Sequence, residues 1–190
     1  PDRRGEWDVY IKRLGAYGTE AIYPHSPFLA ESWDGDIFPF LVHISDINVP
    51  ECSTTHIDPT AFTTFITEDK SVAVSTFKPR RVHLLPYSHM NYYDEFLFYA
   101  SRYEARGKII GEGDATFHPQ GIWHGPQIEA LVKERERGDI DPKNAEWVDE
   151  LAIMFESRNP LIVCDAAFSV ESRDYYKSWY EGWKKYKEKF

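Results

Sequence analysis

Short apolar segments, separated by proline, glycine and polar residues, follow one another along most of the chain. The segment at residues 71–77 alternates β-branched and small residues, which is typical of a strand with one buried face. Comparable segments predict strands at residues 37–44, 61–66, 71–77, 82–85, 95–103, 151–155 and 161–168. Frequent short strands of this kind predict a mainly β fold, either a sandwich or a barrel.

Two segments have a helical pattern instead. Residues 128–137 are polar and rich in Glu, Lys and Arg, and Gly138 is placed to end the helix. Near the C-terminus, aromatic residues at steps of three and four predict one apolar face that packs on the body of the protein. The members of this stripe are Tyr176, Trp179, Trp183, Tyr186 and Phe190. Cys164, within the last predicted strand, is expected to be a small core residue.

These patterns divide the chain into three parts. Residues 1–35 lack periodicity and are expected to form an irregular lead-in segment that packs on the barrel. Residues 36–171 form the predicted β domain, and residues 172–190 form the amphipathic terminal helix.

The charge balance narrows the classes of partner. With 22 Lys and Arg against 31 Asp and Glu, the formal charge is −9, which argues against binding to nucleic acid or to an anionic membrane. No apolar stretch approaches the ~20 residues of a membrane-spanning helix. Two distant cysteines are not a disulfide framework, so we expect a cytoplasmic protein. The first residue is Pro rather than Met, and we expect a processed chain or a piece of a longer one.

One histidine has neighbours at a spacing that suits a metal. His89, Asn91 and Glu95 have the form H-x-N-x-x-x-E. In a straight strand, residues 89 and 95 would lie about 20 Å apart, too far for one ion. The chain must therefore turn between them, and the spacing alone leaves the metal site ambiguous.

A second motif makes the pattern more specific. Gly113, Pro119, Gly121 and His124 read G-x5-P-x-G-x-x-H. Together, the two motifs resemble those of the cupin superfamily, with Asn91 in place of the second histidine. The resemblance implies a jelly-roll, double-sheet barrel with a C-terminal helix and one or two short helices. In cupins the two motifs hold one metal.

The resemblance implies a ligand set of His89, Glu95 and His124. Two imidazoles and one carboxylate leave coordination positions open, and this set suits non-haem Fe(II) enzymes that activate dioxygen.

Further segments make the resemblance more specific. The chain resembles homogentisate 1,2-dioxygenase from about Ser26 to the C-terminus. The segments that carry this resemblance are 56–59, 86–91, 95–96, 103–106, 117–118, 124–126, 154–157 and 175–179. The family's N-terminal β domain has no counterpart here, so the chain resembles the C-terminal, catalytic part.

The resemblance implies a role for each matching residue. His89, Glu95 and His124 match the iron ligands, and His56 matches the histidine that exchanges a proton with the substrate hydroxyl. His118, Tyr103 and Asn91 are expected at the substrate site, and Asn91 is also an expected weak ligand or neighbour of the oxygen site. The implied enzyme cleaves homogentisate with O2 to maleylacetoacetate, in phenylalanine and tyrosine catabolism. The implied partners are an N-terminal domain or chain and further copies, as a trimer or hexamer.

Three departures from the family lie beside the expected site. The loop between Phe77 and His89 is short, Trp123 stands where proline is usual, and Gln127 stands where aspartate is usual. They leave open a hydroquinone or gentisate-like substrate. A non-enzymatic cupin subunit is the other alternative, and the intact His89, Glu95 and His124 argue against it.

Overall fold

A computed structural model of the chain describes residues 4–13, 16–27, 32, 34–35, 40–51, 57, 59–82, 88–106, 109–137 and 146–189. The chain divides into two compact units, Pro1–Asp46 and Ile47–Phe190. In the first, strands β1 (Arg4–Arg13) and β2 (Ala16–His25) pair antiparallel as a hairpin. The prediction of an irregular segment is wrong here, because backbone hydrogen bonds pair the two strands as a ladder. Tyr10 lies on the otherwise mostly polar face of β1, and this apolar residue obscures the alternation in the sequence. The predicted boundaries at 35 and 171 stay predictions.

The second unit is built on a five-stranded antiparallel sheet with the strand order β3-β4-β9-β6-β7. A separate two-stranded ladder joins β5 and β8. The bounds are β3 Thr63–Ile66, β4 Val72–Phe77, β5 Arg80–Val82, β6 Asp94–Tyr99, β7 Ala115–His118, β8 Glu146–Val148 and β9 Ala152–Ser157. The predicted mainly β fold is confirmed, and the antiparallel sheets agree with a cupin-like β sandwich.

Three α-helices lie among the described residues: α1 (Ile128–Arg137), α2 (Asp165–Phe168) and α3 (Tyr175–Tyr186). The prediction for residues 128–137 is confirmed, whereas Gly138 lies outside the described residues. Single 3-10 turns occur at Ile44–Asp46, Pro59–Phe62, Glu104–Arg106 and Lys187–Lys189. Within the described segments, none of the helices has both the length and the apolar character needed to cross a bilayer.

Two predicted strands are wrong. Residues 161–164 are irregular and exposed, and they lead into α2. Ile162 is 77% exposed and Cys164 is an exposed free thiol rather than a core residue. In the predicted strand at 37–44, residues 40–43 are irregular and Ile44 begins a 3-10 turn; residues 37–39 lie outside the described residues. An apolar run without periodicity does not reveal whether a partner covers it, and this is why both predictions failed.

The terminal helix forms as predicted, but only part of the aromatic stripe is covered: Trp179 and Tyr186 are half-buried. Tyr176 is 66% exposed and Trp183 is 49% exposed. The side chain of Gln127 instead donates to Tyr175 Oη at 3.3 Å and to Ser178 Oγ at 3.5 Å. Gly182 lies against Ile128, where an added Cβ would be 3.5 Å from the Ile128 side chain. Small residues let α1 approach closely, so the contact face is shifted from the aromatic stripe.

The inner face of the sheet has an apolar part and a polar part. Phe62, Phe77, Leu97 and Met154 belong to one buried cluster, which Tyr99 and Tyr103 also join. Along β6, the side chains of Glu95, Leu97 and Tyr99 are buried, whereas Phe96 and Phe98 are exposed on the other face. Strand alternation therefore places the Glu95 carboxylate on the same face as the apolar core, one position beyond its end.

Candidate metal centre

Glu95 owes its position to the register of the sheet. It lies opposite His118 on β7 and opposite Glu156 on β9. Directly opposed residues share a face, and their Cβ atoms lie about 4.5–5.5 Å apart. Three ionisable side chains are therefore grouped on one inner face, and Glu95 is only 3% exposed.

His89 and His124 are brought together by an isolated antiparallel bridge. The N–H of His89 donates to the carbonyl of His124 at 2.7 Å, and the N–H of His124 donates to the carbonyl of His89 at 2.9 Å. Their ring centroids are 4.4 Å apart. The chain bends at residues 92–93 before entering β6. This is the turn that the motif spacing required, and it returns Glu95 toward His89.

Three donor atoms converge as a result. The donor atoms of His89, Glu95 and His124 all lie within 4.8 Å of one another. Glu95 Oε1 lies 4.0 Å from His89 Nε2, and Glu95 Oε2 lies 2.8 Å from His124 Nε2. Two imidazoles and one carboxylate at these distances form a set that a single divalent cation can bridge.

The protonation of His124 also fits a cation. Its Nδ1–H donates to the carbonyl of Ile122 at 2.9 Å, which leaves the lone pair on Nε2. Nε2 is buried, and it has no hydrogen-bond partner among the described residues although it faces Glu95. A buried imidazole nitrogen 2.8 Å from a carboxylate oxygen is costly unless a proton or a metal ion lies between them. The residues present therefore fit a metal ion.

Each oxygen of the Glu95 carboxylate has a hydrogen-bonding neighbour that is not one of the three converging donors. Asn91 donates its side-chain N–H to Glu95 Oε1, while its own Oδ1 accepts the N–H of Tyr93 at 3.0 Å. His118 Nδ1 lies 3.3 Å from Glu95 Oε2. Since the amide oxygen of Asn91 is already occupied by Tyr93, its amide nitrogen faces Glu95, so Asn91 supports the ligand in this structure.

The surroundings keep Glu95 ionised. Burial alone would raise the pKa of Glu95, but hydrogen bonds from His118, the contact with His124 and the Asn91 amide outweigh it and hold the pKa well below its usual range. Burial lowers the pKa of His118, and the nearby carboxylate offsets only part of that effect. Burial would lower the pKa of His124, but its contact with the Glu95 carboxylate outweighs that effect and raises the pKa. A metal ion bound at His124 Nε2 would take the place of the proton that this contact favours.

The pKa of Glu156 is shifted in the opposite direction to that of Glu95. Burial, together with the negative charge of Glu95, raises the pKa of Glu156 above its ordinary value of 4.5. The folded protein therefore binds this proton more readily than the unfolded chain does, and folding stability falls as pH rises from about 4.5 through the raised pKa.

We expect Glu156→Gln to stabilise the metal-free protein at neutral pH. The gain should be below ~1 kcal/mol, because solvent screens the half-buried carboxyl. The measurement is thermal unfolding across pH: the advantage of the variant should disappear below about pH 4.5, where both states are protonated. An equal difference at every pH would show that its charge is not the cause.

Two further residues predicted at the site are His56 and Tyr103. His56 falls outside the described residues. Tyr103 is buried in the apolar cluster, with its ring 5.6 Å from Phe77 and 5.3 Å from Tyr99. Sequence reasoning missed Arg106, which is buried beside His118. No spacing pattern marks this arginine, since its contacts arise from the fold alone.

Comparison with known proteins identifies a family that matches this site. Residues 45–190 match the family described as "Homogentisate 1,2-dioxygenase C-terminal". The matched region contains the three converging donors and both residues that hold the carboxylate.

Individual relatives agree with this match. A protein of Saccharolobus solfataricus, named as a candidate dioxygenase, is 32% identical over 186 residues, covering 94% of this chain and 46% of the relative. A homogentisate 1,2-dioxygenase of Rhodopseudomonas palustris is 28% identical, covering 90% of this chain and 41% of the relative. One from Legionella pneumophila is 29% identical, covering 82% and 40%. The chain thus spans less than half the length of these curated relatives.

Proposed function

Because this chain belongs to the family of homogentisate 1,2-dioxygenase C-terminal regions, we propose that it is the metal-binding, catalytic part of an aromatic ring-cleaving dioxygenase. The observation that carries the proposal is the convergence of His89, Glu95 and His124 within 4.8 Å, with one buried imidazole nitrogen left for a cation. We propose Fe(II) as the cation, since two imidazoles and one carboxylate leave open positions that suit oxygen chemistry.

The residues of the chain would divide the work as follows. His89 and His124 would each offer a ring nitrogen to the ion, and Glu95 would supply the negative charge. Asn91 and His118 fix both carboxylate oxygens, so the ligand needs little reorganisation when the ion binds. A bound ferrous ion would supply a place where a phenolate and dioxygen meet side by side. His89 is the most accessible of the three, with 41% of its side chain exposed, so we propose that substrate enters from its side.

The proposed substrate is homogentisate or a similar dihydroxylated aromatic acid, as the names of two relatives indicate. The ring opens between the hydroxyl-bearing carbon and the adjacent substituted carbon, and both atoms of one O2 remain in the product. For homogentisate this product is maleylacetoacetate. A phenol must lose its proton near neutral pH, and an imidazole with a pKa near ~6.5 suits this task. We propose His56 for this role, and His118 and Asn91 for the substrate pocket. Tyr103, the third residue predicted at that pocket, is buried in the apolar cluster, so we do not propose a substrate contact for it.

The experiment is anaerobic reconstitution with Fe(II), followed by oxygen uptake with homogentisate, gentisate and hydroquinone in parallel. Uptake with homogentisate supports the full proposal. Uptake with another of these rings supports the ring-cleaving class and rejects homogentisate. Stoichiometric iron without any uptake would reject the enzyme and favour a binding subunit.

We expect His56→Ala to keep bound iron and to lose turnover. Loss of one acid–base group costs about 10²–10⁴-fold in rate, while the ligand set stays intact. Iron content and oxygen uptake measure the two effects separately. His43→Ala is the matched control, because His43 is exposed and its Nδ1 is within 2.7 Å of the nearby Ser45 hydroxyl. Normal turnover of the His56 variant would reject the assignment of the base.

The relatives are more than twice as long as the part of them that this chain matches, which indicates a further domain or chain as a partner. Since the chain covers 40–46% of them, we propose that an N-terminal domain or chain of the same enzyme accompanies it. Assembly as a trimer or hexamer and a cytoplasmic location stay predictions.

A further inference from the structure

Arg106 is a buried cation next to the metal centre. It ends the 3-10 turn Glu104–Arg106, and it is 4% exposed. Its Nε–H donates to Tyr99 Oη at 3.0 Å, and one Nη donates to the carbonyl of Gly125 at 2.6 Å. The other Nη donates to His118 Nε2 at 3.0 Å. Each of these acceptors is neutral, and the Trp179 ring lies 5.9 Å from the guanidinium carbon.

The contact with His118 fixes where the proton of that imidazole resides. A guanidinium has only donors and stays charged, so His118 Nε2 must accept. In a neutral imidazole the proton then sits on Nδ1, which is the nitrogen 3.3 Å from Glu95 Oε2. Hydrogen bonds therefore run in one direction, from Arg106 through His118 to the carboxylate. Without Arg106, His118 is free to place its proton on Nε2, and its Nδ1 lone pair would then face the Glu95 charge.

The same guanidinium also reaches the second half of the site. Gly125 directly follows His124, and its carbonyl accepts from Arg106. The His118 ring stacks on the His124 ring, with centroids 4.3 Å apart and planes 11° apart. Arg106 therefore contacts both His118, which lies beside Glu95, and Gly125, which follows His124. An arginine held by neutral acceptors gains little stability from its charge, because the buried cation loses its hydration.

We propose that Arg106 is a positioning residue for the metal centre, acting through His118 on Glu95. This inference rests on the proposed function, in which Glu95 is a metal ligand. Partners that orient metal ligands typically change metal affinity by about 10- to 100-fold when they are lost.

The test compares metal binding by the full chain and by Arg106→Met, with Co(II) and anaerobic Fe(II) as probes. We expect Arg106→Met to bind both ions ~10- to 100-fold more weakly and to change the visible spectrum of bound Co(II), which reports coordination geometry. Arg106→Lys should recover only part of the affinity, because the single nitrogen of an ammonium does not reproduce the planar, spread donors of the guanidinium. Arg106→Gln gives the same comparison if the Met variant does not fold.

Arg80 offers a matched control. It is also a buried arginine, it pairs with Glu150 at 3.0 Å, and its guanidinium lies over the Phe62 ring. Arg80→Lys should lower the unfolding temperature and leave both metal affinity and the Co(II) spectrum unchanged. If it weakens metal binding as much as Arg106→Met does, the effect is general destabilisation and the proposal fails.

A double-mutant cycle tests the route through His118. In a His118→Phe background, Arg106→Met should cost little further affinity, since the route is already broken. An equal fold-loss in both backgrounds would overturn the proposal. If the unaltered chain binds neither ion, the proposed function fails and this inference falls with it. If it binds metal, and Arg106→Met binds equally well, only the positioning role is rejected.

Discussion

Glu95→Ala should abolish stoichiometric metal binding and all oxygen uptake. Glu95 is the single anionic member of the converging set, and it contacts His124 Nε2 at 2.8 Å. Removal of a direct ligand should exceed the ~100-fold loss that is typical of an outer partner. The measurement is a titration with Fe(II) or Co(II) and metal analysis after gel filtration.

Glu156→Gln is the control for this prediction. Glu156 faces the same side of the sheet directly opposite Glu95, but it is not one of the three converging donors. We expect this variant to bind metal within a few-fold of the unaltered chain. Equal loss in both variants would mean that general negative charge, rather than coordination by Glu95, holds the ion. The fold of each variant is checked by thermal unfolding, because metal loss is informative only in a folded protein.

Gly125→Ala should damage both stability and metal binding. A Cβ at this position would lie 2.7 Å from the backbone Cα of Ser88 and 2.9 Å from its hydroxyl. Backbone cannot move aside cheaply, so we expect a loss of about 1–3 kcal/mol in the free energy of unfolding. Ser88 precedes His89 and Gly125 follows His124, so the displacement separates the two histidines that the bridge holds together.

The measurement pairs unfolding with metal titration. For a chain of this size, each kcal/mol lowers the unfolding temperature by about 2–4 °C. Gly111→Ala is the control, since among the described residues its added Cβ would meet only the Asp114 side chain at 3.6 Å, an ordinary contact. Gly125→Ala with normal metal affinity would show that the 88–125 approach does not set the geometry of the site.

Several elements could be predicted from the sequence because their signals are local. The polar pattern of residues 128–137 predicts helix α1, and the alternation of residues 71–77 predicts β4. Local signals failed where contact with another part of the chain decides whether an apolar residue is buried. Residues 161–164 are apolar and yet exposed, and the covered face of α3 contains Gly182 and Ser178 with only part of the aromatic stripe.

Part of the candidate site could likewise be predicted from the sequence, and part could not. The resemblance of the two motifs to those of the cupin superfamily predicted His89, Glu95 and His124 as a set, whereas the spacing of the residues alone left the site ambiguous. Their convergence depends on the bend at residues 92–93 and on the bridge between two segments more than 30 residues apart. Linear spacing specifies neither contact.

The sequence by itself determined the chemical identity of the donors and the strand that carries the carboxylate, since side-chain chemistry and alternation are local properties. The tertiary structure alone decided that Asn91 and His118 hold the two carboxylate oxygens and that Arg106 lies behind His118. Hydrogen bonds across a sheet follow from register, and register follows from how whole strands pack.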